Sequence, residues 1–297
     1  MPAGLVGGKR DFSFSQGALL AKKGAKTVAK LAVLAGKGNL PRFFAERAAA
    51  RGHEVVLIDF MGEVRPELAQ IASSSHFVPL GQWQRVIDTL KQENVTDVYL
   101  LGSISKGLMF SNLELDKRLL GLLANLREKN DNAVIEAFVQ DLAREGIVVR
   151  PQTELLEDAL LGPGVLTDIV PDDKALADIG YGLEVAKVLA GLDIGQTVVV
   201  KDGAVLAVEA IDGTDATISR GGTLARGGGV VVKVAKPDQD LRFDVPTIGL
   251  DTIETVIASG LKAIALEAGR TIIVDVPSVV ERANRGKVSV VLVKPEM

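Results

Sequence analysis

The sequence predicts an α/β protein in two parts: an N-terminal, Rossmann-like doubly wound parallel sheet and a second, mixed α/β domain. Three observations predict it. Between residues 30 and 150 short aliphatic strands alternate with helical segments, the pattern of a parallel sheet with helices on both faces. Gly162-Pro-Gly164 is the strongest break in the chain, and after it the order of elements changes. The length of 297 residues suits two domains rather than one.

Residues 1–28, rich in Gly, Ser, Ala and Lys, read as a flexible basic extension, either a solvated tail or a contact for anionic lipid. The first domain is expected over 29–162. Its strands are Leu31–Ala35, Glu54–Phe60, His76–Leu80, Asp97–Gly102 and Gly146–Arg150. Its helices are expected at Leu40–Arg51, Arg65–Ser73, Trp83–Gln92, Leu113–Arg127 and Asn132–Glu145. The second domain, 163–297, opens with a helix over Asp172–Ala190. A hairpin follows, Gln196–Lys201 with Ala204–Ile211 over an Asp202-Gly203 turn, a dipeptide that favours tight hairpins. Short helices at Asp251–Ser259 and Pro277–Arg285 alternate with strands at Ala263–Glu267, Thr271–Asp275 and Lys287–Val293. A cleft between the two halves is the natural place for a site.

Composition narrows the chemistry. Aromatic residues make up 4% of the chain, the net charge is −4 and the pI is near 5.4, which argues against a nucleic-acid-binding surface. With no cysteine and two histidines, thiolate chemistry and cysteine–zinc sites are excluded and a histidine-built metal centre is disfavoured. Carboxylates must hold any metal, which points to Mg²⁺ or Mn²⁺. No apolar run approaches the ~20 residues of a bilayer span and no secretory signal is evident, so the expected location is cytoplasmic.

The segment Val230–Gly249 carries the most information. It reads as strand, turn, strand and holds Lys233, Lys236, Asp238, Asp240, Arg242 and Asp244. Strand alternation would send Leu241, Phe243 and Val245 to a core and align Asp240, Arg242 and Asp244 opposite. Alternate carboxylates, roughly 7 Å apart, could flank a cation while the arginine grips an anion. A solvated charged face is the competing reading. Glu209-Ala-Ile-Asp-Gly-Thr-Asp215 is a second acidic cluster. Thr214 could donate to phosphate, and Glu209 or Asp215 could face a metal; the alternative is an Asp-Gly turn with Asp215 capping a helix. Arg220, Gly221-Gly222 and Gly227–Gly229 follow and read as a mobile basic loop. Acids, cations and glycines together suggest metal-assisted phosphoryl chemistry.

Gly36-Lys-Gly38-Asn39 follows a strand and opens a helix, but Pro41 stands where a dinucleotide fingerprint needs its third glycine, in spite of Asp59 at the expected ribose position. A phosphate cradle and a plain tight turn both fit. His53, His76 and Ser73–Ser75 read as structural.

Taken together, Leu34–Pro41, Leu192–Val200, Val208–Asp215 and Lys236–Gly249 resemble the metal-dependent UDP-2,3-diacylglucosamine diphosphatases of lipid A biosynthesis, the two-domain type unrelated to calcineurin-like phosphoesterases. The resemblance runs from about residue 30 onward. It implies hydrolysis of UDP-2,3-diacylglucosamine to 2,3-diacylglucosamine 1-phosphate (lipid X) and UMP with Mg²⁺ or Mn²⁺. It implies an acidic centre at Asp240, Asp244, Asp215 and Glu209, with Asp240 and Asp244 catalytic. Gly36, Gly38, Asn39, Asp131, Gln196, Thr214, Arg220, Lys233, Lys236, Gln239 and Arg242 are the substrate-binding candidates. The lipid product implies peripheral association with the inner leaflet of the inner membrane, and a homodimer is the default assembly. Two segments depart from the pattern: Gly102-Ser-Ile-Ser-Lys-Gly107, where a more basic stretch is expected, and Asp131-Asn132, where paired aspartates are. The alternative is a nucleotide-sugar- or lipid-binding protein without hydrolytic activity.

Overall fold

The computed structural model describes residues 29–60, 66–103, 114–126 and 131–294. The N-terminal extension lies outside them. Strands Lys30–Ala35 (β1), Glu54–Asp59 (β2), Ser74–Phe77 (β3), Asp97–Leu101 (β4) and Val148–Val149 (β5) form a parallel sheet in the order β3-β2-β1-β4-β5. Helices Leu40–Ala50 (α1), Pro66–Ala69 (α2), Trp83–Gln92 (α3), Lys117–Ala124 (α4) and Asp131–Arg144 (α5) connect and cover them. Alternation along β1 decides which helix covers which face. Leu31, Val33 and Ala35 pack with Phe43, Phe44 and Ala48 of α1. Ala32 and Leu34 instead meet Val86, Ile87 and Leu90 of α3 and Val139 and Leu142 of α5. Burial on both faces explains the continuous aliphatic runs of these strands.

The second sheet has the order β6-β13-β11-β9-β7-β8. Its strands are Gly164–Val165 (β6), Thr197–Lys201 (β7), Ala204–Val208 (β8), Val230–Lys233 (β9), Ala263–Glu267 (β11) and Ser289–Val293 (β13). Thr247–Ile248 (β10) and Ile272–Ile273 (β12) pair separately. β9, β11 and β13 run parallel, while β6 and β7 run against them. Helix Asp173–Gly191 (α6) covers one face through Ile179, Ala186 and Ala190. The other face is packed by Thr214–Ala225 (α7), Leu250–Ala258 (α8) and Val276–Arg285 (α9), through Ile218, Ile253, Val256 and Val279. The hairpin turn forms as expected: Asp202 and Gly203 both have positive φ, and the Asp178 carboxylate accepts both their amides. The halves share a core, where Val245, Ile272 and Val274 pack with Leu155, Leu156 and the α1 face of the first sheet.

Several expectations change. The strand predicted after Lys236 does not form. Pro237 and Pro246 lack the N–H a ladder needs, and Asp240 turns the chain by accepting the amide of Arg242, a local bond that competes with extended structure. The Asp244 amide then reaches Asp240 O at 3.1 Å. Alternation is lost: Leu241 is 47% exposed, although Phe243 and Val245 do pack inward. Arg220, Gly221 and Gly222 of the predicted basic loop lie inside α7 instead, while Gly227–Gly229 follow the helix as irregular chain with positive φ. Gly221 lies inside the helix because a Cβ there would sit 2.5 Å from Val199, so the small residues let α7 seat on β7. Gly213, not Asp215, precedes its first turn. The helix expected over 113–127 is formed at Lys117–Ala124, capped by Asp116, whose carboxylate accepts Leu119 N. The strand expected at His76–Leu80 begins two residues earlier, and the helix α2 and the strand β12 are shorter than predicted.

Candidate active site

The carboxyl ends of β8 and β9 bring the second acidic cluster and Lys233 together. In register, Thr197 of β7 opposes Lys233, so their side chains share a face. Lys233 is 5% exposed, and its ammonium donates to Thr214 Oγ1 at 2.7 Å. Thr214 Oγ1 donates on to Glu209 Oε1 at 2.9 Å, and Glu209 Oε2 accepts the Gln196 amide at 3.3 Å. Burial pushes the Lys233 ammonium down, against the pull of Glu209, Asp215 and Asp244. Both oxygens of Glu209 are therefore occupied by protein donors. Two polar atoms beside this chain, Gln196 Oε1 and Thr197 Oγ1, are buried without a partner among the described residues. Such groups in a native fold call for an explanation.

Asp215 sits in the first turn of α7, where a carboxylate suits the helix dipole. It takes no side-chain hydrogen bond or ion pair from another described residue. Partial burial of the carboxyl raises its pKa, Lys233 opposes that shift, and Asp251 and Glu209 add to it. Asp251, in the first turn of α8, comes from no sequence expectation. Its only advance signal was an acid two residues after Gly249 at a helix start. Asn39 of the β1–α1 turn reaches it across the domains at 3.5 Å, the long limit of a hydrogen bond.

The Lys236–Asp244 turn forms the second part of the site. Lys236 Nζ bridges Asp193 at 2.7 Å and Asp244 at 2.6 Å. Burial works to lower its pKa, but these two acids outweigh it and hold it raised. Arg242 covers both oxygens of Asp240 at 2.7–3.1 Å, and it also donates to Glu136 Oε2 of α5 at 2.7 Å. The guanidinium holds Asp240 below the usual carboxylate range. Gln239 closes the turn locally: its Oε1 accepts Lys236 N at 2.8 Å and its Nε2 donates to Asp244 O.

The remaining candidates fall elsewhere or serve packing. The amides of Gly36 and Lys37 bond Leu101 O and Ser103 O. A Cβ on Gly36 would sit 2.6 Å from Ser103 O, so this glycine allows the chain beyond β1 to lie close against the chain beyond β4. Gly38 has φ +91° with open space around it. Arg220 points to Asp212 and Val208 O on the exposed side of α7. Asp131 opens α5, and its side chain lies outside the described residues, as does most of the segment after Ser103. His53 bonds the backbone of Ala29, and His76 pairs with Glu93, both structural contacts. A depression of about 690 Å³ between α7 and α8, lined by Ser219, Thr223, Arg226 and Glu254, includes none of the candidate acids.

Among the described residues no three histidines or acids are gathered as a ready-made metal site. Magnesium seldom needs one, since it is usually held by one or two carboxylates together with substrate phosphates. Asp215, whose carboxylate takes no hydrogen bond or ion pair among the described residues, and Asp244, which Lys236 holds at 2.6 Å, fit that donor set.

Two family models match this chain: the LpxI N-terminal domain over residues 30–159 and the LpxI C-terminal domain over residues 162–291. A UDP-2,3-diacylglucosamine pyrophosphatase, LpxI, from Caulobacter vibrioides is 34% identical over 266 residues, 86% of this chain and 94% of that protein. Likeness to solved structures is weak. The biotin carboxylase domain of a thermophilic 2-oxoglutarate carboxylase is 15% identical, with a TM-score of 0.27 over 66% of this chain and 32% of that one. N5-carboxyaminoimidazole ribonucleotide synthetase is 13% identical, with a TM-score of 0.25 over 67% of this chain and 44% of that one.

Proposed function

The chain belongs to the LpxI family, and on that premise we propose that it hydrolyses the pyrophosphate bond of UDP-2,3-diacylglucosamine, releasing UMP and 2,3-diacylglucosamine 1-phosphate. The observation that carries this reading is the 34% identity to a pyrophosphatase across nearly its whole length. The geometry supports it. Lys236 and Arg242 are cations fixed beside acids at the junction of the two domains, suited to neutralise pyrophosphate oxygens. Arg242 presents a planar fork that can exchange the Asp240 carboxylate for a phosphoryl group. Asp240 then faces the water. Freed of the guanidinium, its carboxylate is available to orient that water and accept its proton. Lys233 and Thr214 fix the first turn of α7 from below.

Dependence on Mg²⁺ or Mn²⁺ is part of the proposal, with Asp215 and Asp244 as the protein's carboxylates for it. When bound, the ion polarises a phosphoryl oxygen as a Lewis acid. Peripheral contact with the inner leaflet of the inner membrane is also proposed. Leu192, Ile194 and Ile211 are 66%, 47% and 75% exposed, and they flank Asp193 and Glu209 in sequence, so apolar side chains rim the polar site. Turnover in Mg²⁺, in excess EDTA and after Mn²⁺ restoration tests the metal. Loss and recovery of UMP release are expected; undiminished release in EDTA would overturn metal dependence while leaving hydrolysis in place.

A further inference from the structure

The acidic turn belongs in sequence to the second domain, yet the first domain holds it in place. Gln152, just beyond β5, is 3% exposed. Its amide N–H donates to Leu241 O at 2.7 Å, and its side-chain Oε1 accepts the Val245 amide at 3.3 Å. Its Nε2 donates to Leu100 O of β4 at 2.5 Å. The three bonds tie both ends of the Leu241–Val245 turn to a central strand of the first sheet. Arg242 and Asp244 lie between those ends, and Asp240 immediately precedes them. Burying an amide is favourable only when its donors and acceptors are met. A leucine would fill the same space without that demand, so the contact defines geometry more than it adds packing. Glu136 of the same domain makes a parallel contact from the exposed side, holding Arg242 at 2.7 Å.

We propose that Gln152, seconded by Glu136, is a positioning residue through which the first domain sets the Asp240–Asp244 turn for reaction. The proposal rests on the pyrophosphatase reading of that turn. A misplacement of about 1 Å at a reacting group can lower a rate on the order of 100-fold. Gln152→Leu removes the side-chain bonds to the Val245 amide and Leu100 O and so frees the Val245 end of the turn, while the backbone bond to Leu241 O stays.

The experiment is steady-state hydrolysis of UDP-2,3-diacylglucosamine by the full chain, by Gln152→Leu and by Glu136→Gln, with folding followed by circular dichroism and thermal melting. For Gln152→Leu we expect kcat to fall about 10- to 100-fold per folded molecule, with KM changed less than about twofold. Glu136→Gln, at a half-exposed position, should show the same pattern with a smaller factor, and it carries the test if Gln152→Leu does not fold. Unchanged kcat in a folded variant of either residue would overturn the proposal. So would a loss of rate that only tracks the unfolded fraction. A parent protein that releases no UMP overturns the pyrophosphatase reading itself, and the positioning role with it.

Discussion

At the residue scale, Asp215 separates function from stability. Its folded pKa is raised by burial, so the ionised form is disfavoured in the folded protein relative to the unfolded chain. The sign follows from linkage: a raised carboxylate pKa favours folding below the unfolded value, and that advantage is lost as pH rises through the folded one. Asp215→Asn should therefore be neutral to slightly stabilising at pH 7, within about 0.5 kcal/mol, while hydrolysis is lost. Denaturant unfolding beside an activity assay checks both halves; marked destabilisation would make Asp215 structural. Asp240 behaves oppositely. Asp240→Asn should abolish turnover and leave the fold intact: the asparagine oxygen still accepts the Arg242 amide, and the ion pair it loses is partly exposed, where such pairs contribute little. A circular dichroism spectrum and melt of that variant should match the parent. The acids and cations of this site were legible in the sequence as residue types. Their pairing was not, because Arg242 with Asp240, Lys236 with Asp244 and Thr214 with Glu209 depend on turns whose geometry the sequence only hints at.

At the element scale, α7 is the part most misjudged by local signals. Gly221 and Gly222 disfavour helix by propensity, yet they sit inside one because β7 and α8 approach its backbone closely. Gly221→Ala should therefore destabilise the protein by about 1–3 kcal/mol through overpacking against Val199. Urea unfolding measures it, and a neutral or stabilising result would show that α7 can shift outward freely. The β7–β8 hairpin was legible from Asp202-Gly203, a dipeptide that readily takes two left-handed residues, although the hold of Asp178 on both amides was not. The Lys236–Val245 segment was not. Its alternation was real in the sequence, but prolines and an aspartate turn override a strand pattern that no neighbouring strand completes.

At the scale of the molecule, the doubly wound first sheet and the mixed second sheet could both be read from the rhythm of strands and helices. The junction could not, because Gln152, Glu136 and Asn39 give no local sign of reaching the other domain. The first domain also has its own acid sensitivity. Lys30, followed by His76, holds Glu93 down at about 2, and Lys91 with Arg118 does the same for Glu145. Depressed carboxylates stabilise the fold above their unfolded value, and that contribution is lost as pH falls from 4.5 toward 2. Glu93→Gln should flatten the decline in melting temperature across that window, measured by scanning calorimetry; an unchanged slope would place the acid lability elsewhere. The whole account turns on one reaction. Phosphorus NMR of UDP-2,3-diacylglucosamine incubated with the purified chain and Mg²⁺ follows it directly. Loss of the two pyrophosphate signals and growth of two monoester signals, from UMP and 2,3-diacylglucosamine 1-phosphate, is the predicted result. A pyrophosphate spectrum that stays unchanged, with substrate bound, would contradict it and leave a binding protein.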